Sequence, residues 1–339
     1  MSLTIRQRTD AFIKLGQVLH NPDAALISAA MHSRQRNAWF TEESVNRAFA
    51  SLAQMLDREN LENWLQAYDL ENTSPKTVGL VLAGNIPLVG FHDVLCVLIS
   101  GNRAQIKLSA DDSVLLPAVL EKLTEIEAGF KPFFQLVDRL KDFDAVIATG
   151  SNNTARYFEY YFGKYPHIIR KNRTSVGVLS GSESTDAISR LGHDIFDYFG
   201  LGCRNVSKIF VPKDYTFDRL FEPLEMFSGV LHHHKYNNNY DYQKSILLIN
   251  RVDHFDNGFL LVKQDEALVS PLAVLHYERY DALSAIENRL REQQDGIQCV
   301  VSSLPLDIPP QIVDFGDSQN PGPADYADDV DTLQFLTTL

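Results

Sequence analysis

The sequence predicts an α/β protein in which parallel sheets are covered by helices, behind a helical N-terminal segment. Three observations carry that prediction. From residue 77, continuous apolar runs of strand length alternate with amphipathic runs of helix length, as for strands buried on both faces. The alternation resumes in looser form after residue 174. A chain of 339 residues, 45% of them hydrophobic, can also bury two cores. The expected organisation is a helical segment over 1–75, an α/β domain over 76–199, a second over 200–305, and a tail over 306–339.

Within 1–75, "RTDAFIKLGQVL" and "TEESVNRAFASLAQMLDRENLENWLQAY" space their apolar residues by three and four, with Thr41 and Glu42 as a helix start. "TVGLVLA" reads as a strand and "LVGFHDVLCVLIS" as the helix after Asn85 and Pro87. "RAQIKL" and "DAVIAT" are further strands, with "DSVLLPAVLEKLTEI" as the helix between them. "GSNNTARYFEYYF" opens another helix. In the looser half, "SVGVLSG", "VSKIFVP", "ILLIN", "AVLHY" and "QCVVSSL" read as strands, and "STDAISRLGHDIFDYF" and "YDALSAIENRLREQ" as helices. The Pro-, Gly- and Asp-rich tail is expected to wrap over another surface and end in a short strand. The opening Met1, Ser2 and Leu3 read equally as native or as a remnant of cloning.

A net charge of −13, from 44 acidic against 31 basic residues, argues against nucleic acid or an anionic membrane as partner. Residues 1–16 lack the continuous apolar stretch of a secretory signal. The longest apolar region, 77–101, contains Asn85, Pro87, His92 and Asp93, so it reads as strand, turn and helix and not as a membrane span. Three scattered cysteines supply neither a disulfide framework nor a zinc site, which fits a reducing, cytoplasmic compartment. No metal site is expected: consecutive histidines at 232–234 point in different directions, and no carboxylate or cysteine cluster accompanies them.

Cys203 stands apart, lying in "DIFDYFGLGCRNVSKIFVP" between a helix and a strand, just after Gly200 and Gly202. A glycine-permitted bend can expose a thiol and aim a main-chain N–H at a developing oxyanion. An inert, buried cysteine is the commoner fate of a thiol, and this context alone leaves both readings open. Cys96 and Cys299 sit in apolar runs and read as core. "GLGCRN" lacks the third glycine and preceding strand of a dinucleotide loop, and "LSGSES" has the wrong spacing for a nucleophile elbow. Asn85 can cap a helix or donate to an oxyanion. Gly150 and Ser151 occupy the turn after a later strand, where helix amides can receive phosphate, and Lys107 and Ser109 end another strand.

In order along the chain, "AGNIPL", "IKLS", "ATGS", "GLGCRNVSKIF" and "DEALVSPLAVLHY" resemble the aldehyde dehydrogenase superfamily. Its corresponding pieces read W-N-F-P, V-x-K-P-S, F-T-G-S, G-Q-x-C and E-x-F-G-P. The wording is more similar to the branch of acyl-CoA reductases related to the fatty-acyl reductase of bacterial luminescence. The resemblance covers about 75–339. It implies a Rossmann-like NAD(P)-binding domain over 76–199, an α/β catalytic domain over 200–305, and a tail returning to the cofactor domain or to the interface of a homo-oligomer. Carried over residue by residue, Cys203 is the nucleophile and Asn85 the oxyanion amide. Lys107 and Ser109 lie along the adenosine ribose, Gly150 and Ser151 near the phosphates, and Glu266 on the nicotinamide ribose. NADPH or NADH is the implied cofactor, and coenzyme A enters as part of an acyl-CoA substrate.

One departure bears on the reaction. Aldehyde-oxidising members carry a glutamate in an E-L-G-G-K stretch, where it activates water. The matching stretch here is "IIRKNR" (168–173), without a carboxylate. Loss of such a base costs water attack about 10²–10⁴-fold, which favours thioester exchange over release of a free acid. Basic Lys164, Arg170, Lys171 and Arg173 suggest either contact with a 2′-phosphate or the CoA phosphates, or a solvated positive face. Reduction of another activated acyl group, and a non-catalytic relic of the fold, are the competing readings.

Overall fold

The computed structural model describes residues 3–70 and 74–339; Met1 and Ser2 of the opening tripeptide lie outside them. Four helices open the chain: α1 (Ile5–His20), α2 (Ala24–Arg36), α3 (Glu42–Met55) and α4 (Arg58–Leu65). Each starts behind a side chain that accepts a first-turn amide, namely Thr4, Asp23, Thr41 and Asp57. At α1 the cap is reciprocal, because Gln7 returns a bond to the Thr4 amide.

Strands and helices then alternate: β1 (Thr77–Val81), α5 (Phe91–Ile99), β2 (Arg103–Lys107), α6 (Leu115–Ile126), β3 (Phe134–Leu136), β4 (Ala145–Thr149), α7 (Asn152–Phe162) and β5 (His167–Arg170). Further on come β6 (Thr174–Val178), α8 (Thr185–Phe196), β7 (Val206–Pro212), α9 (Asp218–Leu224), α10 (His234–Ile249), β8 (Phe255–Asp256), β9 (Leu261–Gln264) and β10 (Val274–Tyr280). The last elements are α11 (Leu283–Glu292), β11 (Ile297–Val301), β12 (Gln311–Val313) and α12 (Thr332–Thr337).

These elements form two compact units, residues 1–172 with 321–339, and residues 173–320. In the first, five parallel strands lie in the order β3-β2-β1-β4-β5. In the second, seven strands lie in the order β12-β11-β6-β7-β10-β9-β8, parallel except for the β8–β9 pair. The N-terminal helices share one core with the first sheet: Phe12 packs edge-on against Phe91 and Phe130, in the cluster that also holds Leu80, Ile106 and Ile147. Among the described residues no helix is long and apolar enough to cross a membrane.

The structure differs from the sequence reading in its domain bounds, in one expected strand and at the tail. Residues 173–199, expected in the first α/β domain, lie in the second unit, because β6 hydrogen-bonds to β7 and β11. The helical segment over 1–75 is part of the first unit and has no core of its own. "ILLIN" is the last turn of α10 and not a strand. Its apolar run is ambiguous alone, but Tyr236, Tyr240 and Leu247 are buried at helical spacing while Leu248 and Ile249 are exposed. The tail ends in α12 and not in a strand, since Asp331 accepts from the Gln334 amide and caps a helix there. Only 321–339 of the expected tail belongs to the first unit, where Leu333 and Leu336 join the core and the Trp64 indole donates to the Tyr326 hydroxyl at 2.8 Å; 306–320 stays in the second unit, because β12 pairs with β11.

Candidate active site

In the first unit the β1, β2 and β4 ends are aligned, with Val81 level with Lys107 and, one residue earlier, Leu80 level with Ile147. Because the three strands are parallel and adjacent, the segments that leave their carboxyl ends share one edge of the sheet. Asn85, Ser109, Gly150 and Ser151 lie on those segments, and Lys107 is the last residue of β2. The chain winds outward from β1 through β2 to β3 and then returns to β4 on the other side of β1, so the winding reverses between β1 and β4. A nucleotide binds at such a switch point in open α/β sheets.

Asn85 is exposed in the turn after β1. It does not cap α5, whose N-cap is Gly90 with no side-chain bond, so the capping alternative is excluded. The turn is held from below: the Leu88 amide, on a left-handed residue with φ of 58°, donates to Asp112 Oδ2 at 2.8 Å. Burial pushes the Asp112 carboxyl up to about 6, against the opposing pull of the amides of Leu88, Leu115 and Leu116. Gly84 is required there, because a Cβ would come within 2.6 Å of Ser109 Cβ and 3.0 Å of the Asp112 nitrogen. Ser109 itself is half-buried and accepts from the Asp111 amide. Lys107 is exposed at the end of β2, and its carbonyl accepts from the Leu82 amide. Ser151 caps α7 by accepting from Thr154 N at 3.2 Å, and the amide of Gly150 donates to the Arg170 carbonyl. An exposed amide, an ammonium group and the first turn of an eleven-residue helix on one sheet edge form a donor set suited to a phosphate-bearing dinucleotide.

In the second unit, Cys203 follows a bend with four left-handed residues, Tyr198 (φ 54°), Phe199 (φ 60°), Gly200 (φ 80°) and Gly202 (φ 99°), interrupted by the extended Leu201. The glycines adopt this conformation freely, whereas Tyr198 and Phe199 each store roughly 1–2 kcal/mol. Packing holds them there: Tyr198 is buried, and the Phe199 ring lies 4.4 Å from that of His233. The Cys203 carbonyl accepts from Ser175 Oγ at 3.1 Å. Cys203 is half-buried, whereas Cys96 and Cys299 are fully buried. Burial lifts the thiols of Cys96 and Cys299, the latter to about 11.

Glu266 is exposed in the connection that leaves β9. The triple histidine sits at the entry to α10, where His233 accepts from the Tyr236 amide, and among the described residues no cluster is suited to a metal. Arg170 departs from both readings of the basic stretch. It is 3% exposed and donates to Asp93 Oδ1 (2.7 Å), the Ala327 carbonyl (2.6 Å) and Thr332 Oγ1 (2.8 Å), so it is neither a solvated charge nor available to a ligand phosphate. Lys171 pairs with Glu159, and Arg173 donates to main-chain carbonyls at 294 and 297.

The sequence reading passed over the buried polar groups behind these loops, Thr174, Ser175, Ser207, Lys208 and His276. One signal was present: the lysine in "VSKIFVP" interrupts a strand otherwise buried on both faces, and such a charge needs an internal partner.

Comparison with solved structures places the chain in a structural class. The aldehyde dehydrogenase KauB from Pseudomonas aeruginosa matches with a TM-score of 0.64 and 13% identity, over 88% of this chain and 72% of that one. An aldehyde dehydrogenase of Mycobacterium tuberculosis complexed with NAD+ gives 0.65 and 11%, over 92% and 78%. The NADP-dependent glyceraldehyde-3-phosphate dehydrogenase of Bacillus halodurans C-125, complexed with NADP, gives 0.63 and 13%, over 91% and 78%. The fold is that of the aldehyde dehydrogenases. Within that class the family is narrower: the model described as acyl-CoA reductase (LuxC) matches residues 17–226, and the chain belongs to that family. Membership of that family makes it an oxidoreductase. No curated protein matches the sequence.

Proposed function

We propose that the protein reduces an acyl-CoA thioester to an aldehyde through an acyl group carried on Cys203. Membership of the acyl-CoA reductase family is the observation that carries this reading. The place of Cys203, only half-buried just after a bend with left-handed residues, and the carboxylate-free stretch 168–173, support it.

In this reading the Cys203 thiolate attacks the thioester carbonyl. Its Sγ–C bond forms, and the Asn85 amide donates to the oxyanion. Collapse breaks the bond between the carbonyl carbon and the CoA sulfur, and CoA leaves as a thiolate that takes up a proton. The reduced nicotinamide, when bound, supplies the hydride that turns the acyl-cysteine into a thiohemiacetal. Return of the electron pair to Sγ then releases the aldehyde. Lys107, Ser109, Gly150 and Ser151 bind the adenosine and phosphate end of the cofactor, and Glu266 holds the nicotinamide ribose. NADPH is the preferred form in this reading, on the resemblance to the reductase branch.

The test is NADPH and NADH consumption with acyl-CoAs of increasing chain length, alongside matched acyl phosphates and carrier-protein thioesters. Acyl-CoA turnover that Cys203→Ala abolishes is the expected result. Turnover that survives in Cys203→Ala removes the nucleophile, and preference for acyl phosphate or carrier-protein thioester replaces the substrate. Iodoacetamide at neutral pH should modify Cys203 far faster than Cys96 or Cys299; equal sluggishness of all three favours the relic.

A further inference from the structure

The nine residues between β9 and β10 connect two parallel strands without a helix, and buried side chains bind three successive carbonyls of this loop. Lys208 Nζ donates to the Glu266 carbonyl at 2.9 Å. The ring of His276, through Nδ1, bonds the Ala267 carbonyl at 3.0 Å, and Ser207 Oγ donates to that of Leu268 at 2.7 Å. Lys208 and His276 are register partners on β7 and β10, so both reach the loop from one face of the sheet. Asp265 tightens the start of the loop, its carboxylate accepting from the Ala267 amide and pairing with Lys263.

Lys208 is the costly member of this set. It is fully buried and pairs with Glu278 Oε2 at 2.8 Å. Arg289 neutralises the other carboxylate oxygen of Glu278 at 2.5 Å and adds a second donor to the Glu266 carbonyl at 3.2 Å. A buried ion pair is weak as a source of stability, and an apolar side chain of the same size would fill the space as well. What an apolar residue could not do is hold the Glu266 carbonyl.

We infer that Lys208 is a positioning residue for cofactor binding: with Arg289 it fixes the main chain of Glu266 so that the exposed carboxylate is presented in one place. The inference rests on the reading of Glu266 as the nicotinamide-ribose carboxylate. An ordered loop spares the cofactor the entropy of fixing it, so the effect falls on affinity and not on the chemical step.

The experiment compares Lys208→Met, Glu266→Gln and the double variant, with NADPH and NADH binding followed by nicotinamide fluorescence and with steady-state kinetics. Lys208→Met should weaken binding of the preferred nucleotide about tenfold, raise its KM in parallel and leave kcat within twofold. The double variant should bind no more weakly than Glu266→Gln alone, because Lys208 acts through that residue. Amides over 265–270 should exchange hydrogen faster in Lys208→Met. Wild-type affinity in Lys208→Met beside weakened Glu266→Gln overturns this inference and leaves the role of Glu266 standing, as do additive losses. Unchanged binding in Glu266→Gln overturns the role of Glu266 itself. Should Lys208→Met not fold, Arg289→Met removes the second donor and leaves Lys208 paired with Glu278. A two- to threefold loss of affinity that vanishes in the Glu266→Gln background is then expected, and no loss overturns the inference.

Discussion

Asp112 offers the sharpest physical test of the turn that carries Asn85. Its carboxyl is 5% exposed, and burial raises it from 3.8 to about 6. Above that pH the native state holds a buried carboxylate that the unfolded chain solvates freely. That rise corresponds to roughly 3 kcal/mol. Between about pH 4 and pH 6 the native protein binds a proton that the unfolded chain does not, so the stability of the first unit falls as pH rises through this window. Asp112→Asn is uncharged at every pH and lacks this contribution, whatever fixed amount the substitution itself costs. The difference between variant and wild type should therefore move about 2.5 kcal/mol in the variant's favour from pH 4 to pH 8. For a unit of roughly 190 residues that is about 5–10 °C in relative Tm. Asp194, also raised to about 6 by burial in the second unit, is common to both proteins and cancels. Calorimetric scans of both proteins across pH 4–8 measure the difference directly. A Tm difference independent of pH, or one that moves toward the wild type as pH rises, refutes the buried-carboxylate account of this turn.

Two further substitutions probe the packing around the site. Gly192→Ala in α8 would stabilise an open helix by up to about 1 kcal/mol, but here the added Cβ falls inside the ring of Phe227, which stacks on Phe196. A net loss of about 1–3 kcal/mol is expected by thermal melting, and a gain contradicts it. Arg170→Ala strands Asp93 without its partner in the core and removes the donors to Ala327 and Thr332, which should cost about 3–5 kcal/mol. The tail over 321–339 then becomes a substrate for chymotrypsin at Tyr326 and Phe335. Unchanged resistance of the tail would show that Arg170 does not anchor it.

Much of the architecture was written in the sequence, because strands buried on both faces must be apolar throughout and the helices that cover them must be amphipathic. "TVGLV" and "AVIAT" became β1 and β4 for that reason, while "RAQIK" became β2 with a buried middle and Arg103 and Lys107 exposed at its ends. The motifs of the first unit sit where strand order requires, after the carboxyl ends of those strands. "ILLIN" was misread because five apolar residues have no period of their own; Tyr236 and Tyr240, a turn or more upstream, decide that the run is helical. The domain boundary was equally hidden, since β6 looks like any buried strand until its partners β7 and β11 are known.

Side-chain commitments belong to the tertiary structure alone. Arg170 and Lys171 are neighbours in one basic run, yet one is sealed against Asp93 and the other pairs with Glu159 at the surface. Cys299 lies within β11 and is sealed in the core, whereas Cys203 follows the bend at 198–202 and is only half-buried. The hold of Lys208 on Glu266 joins residues 58 positions apart. Local sequence sets the period of burial. Which buried charge meets which carbonyl depends on the order in which distant strands pair, and no local pattern encodes that order.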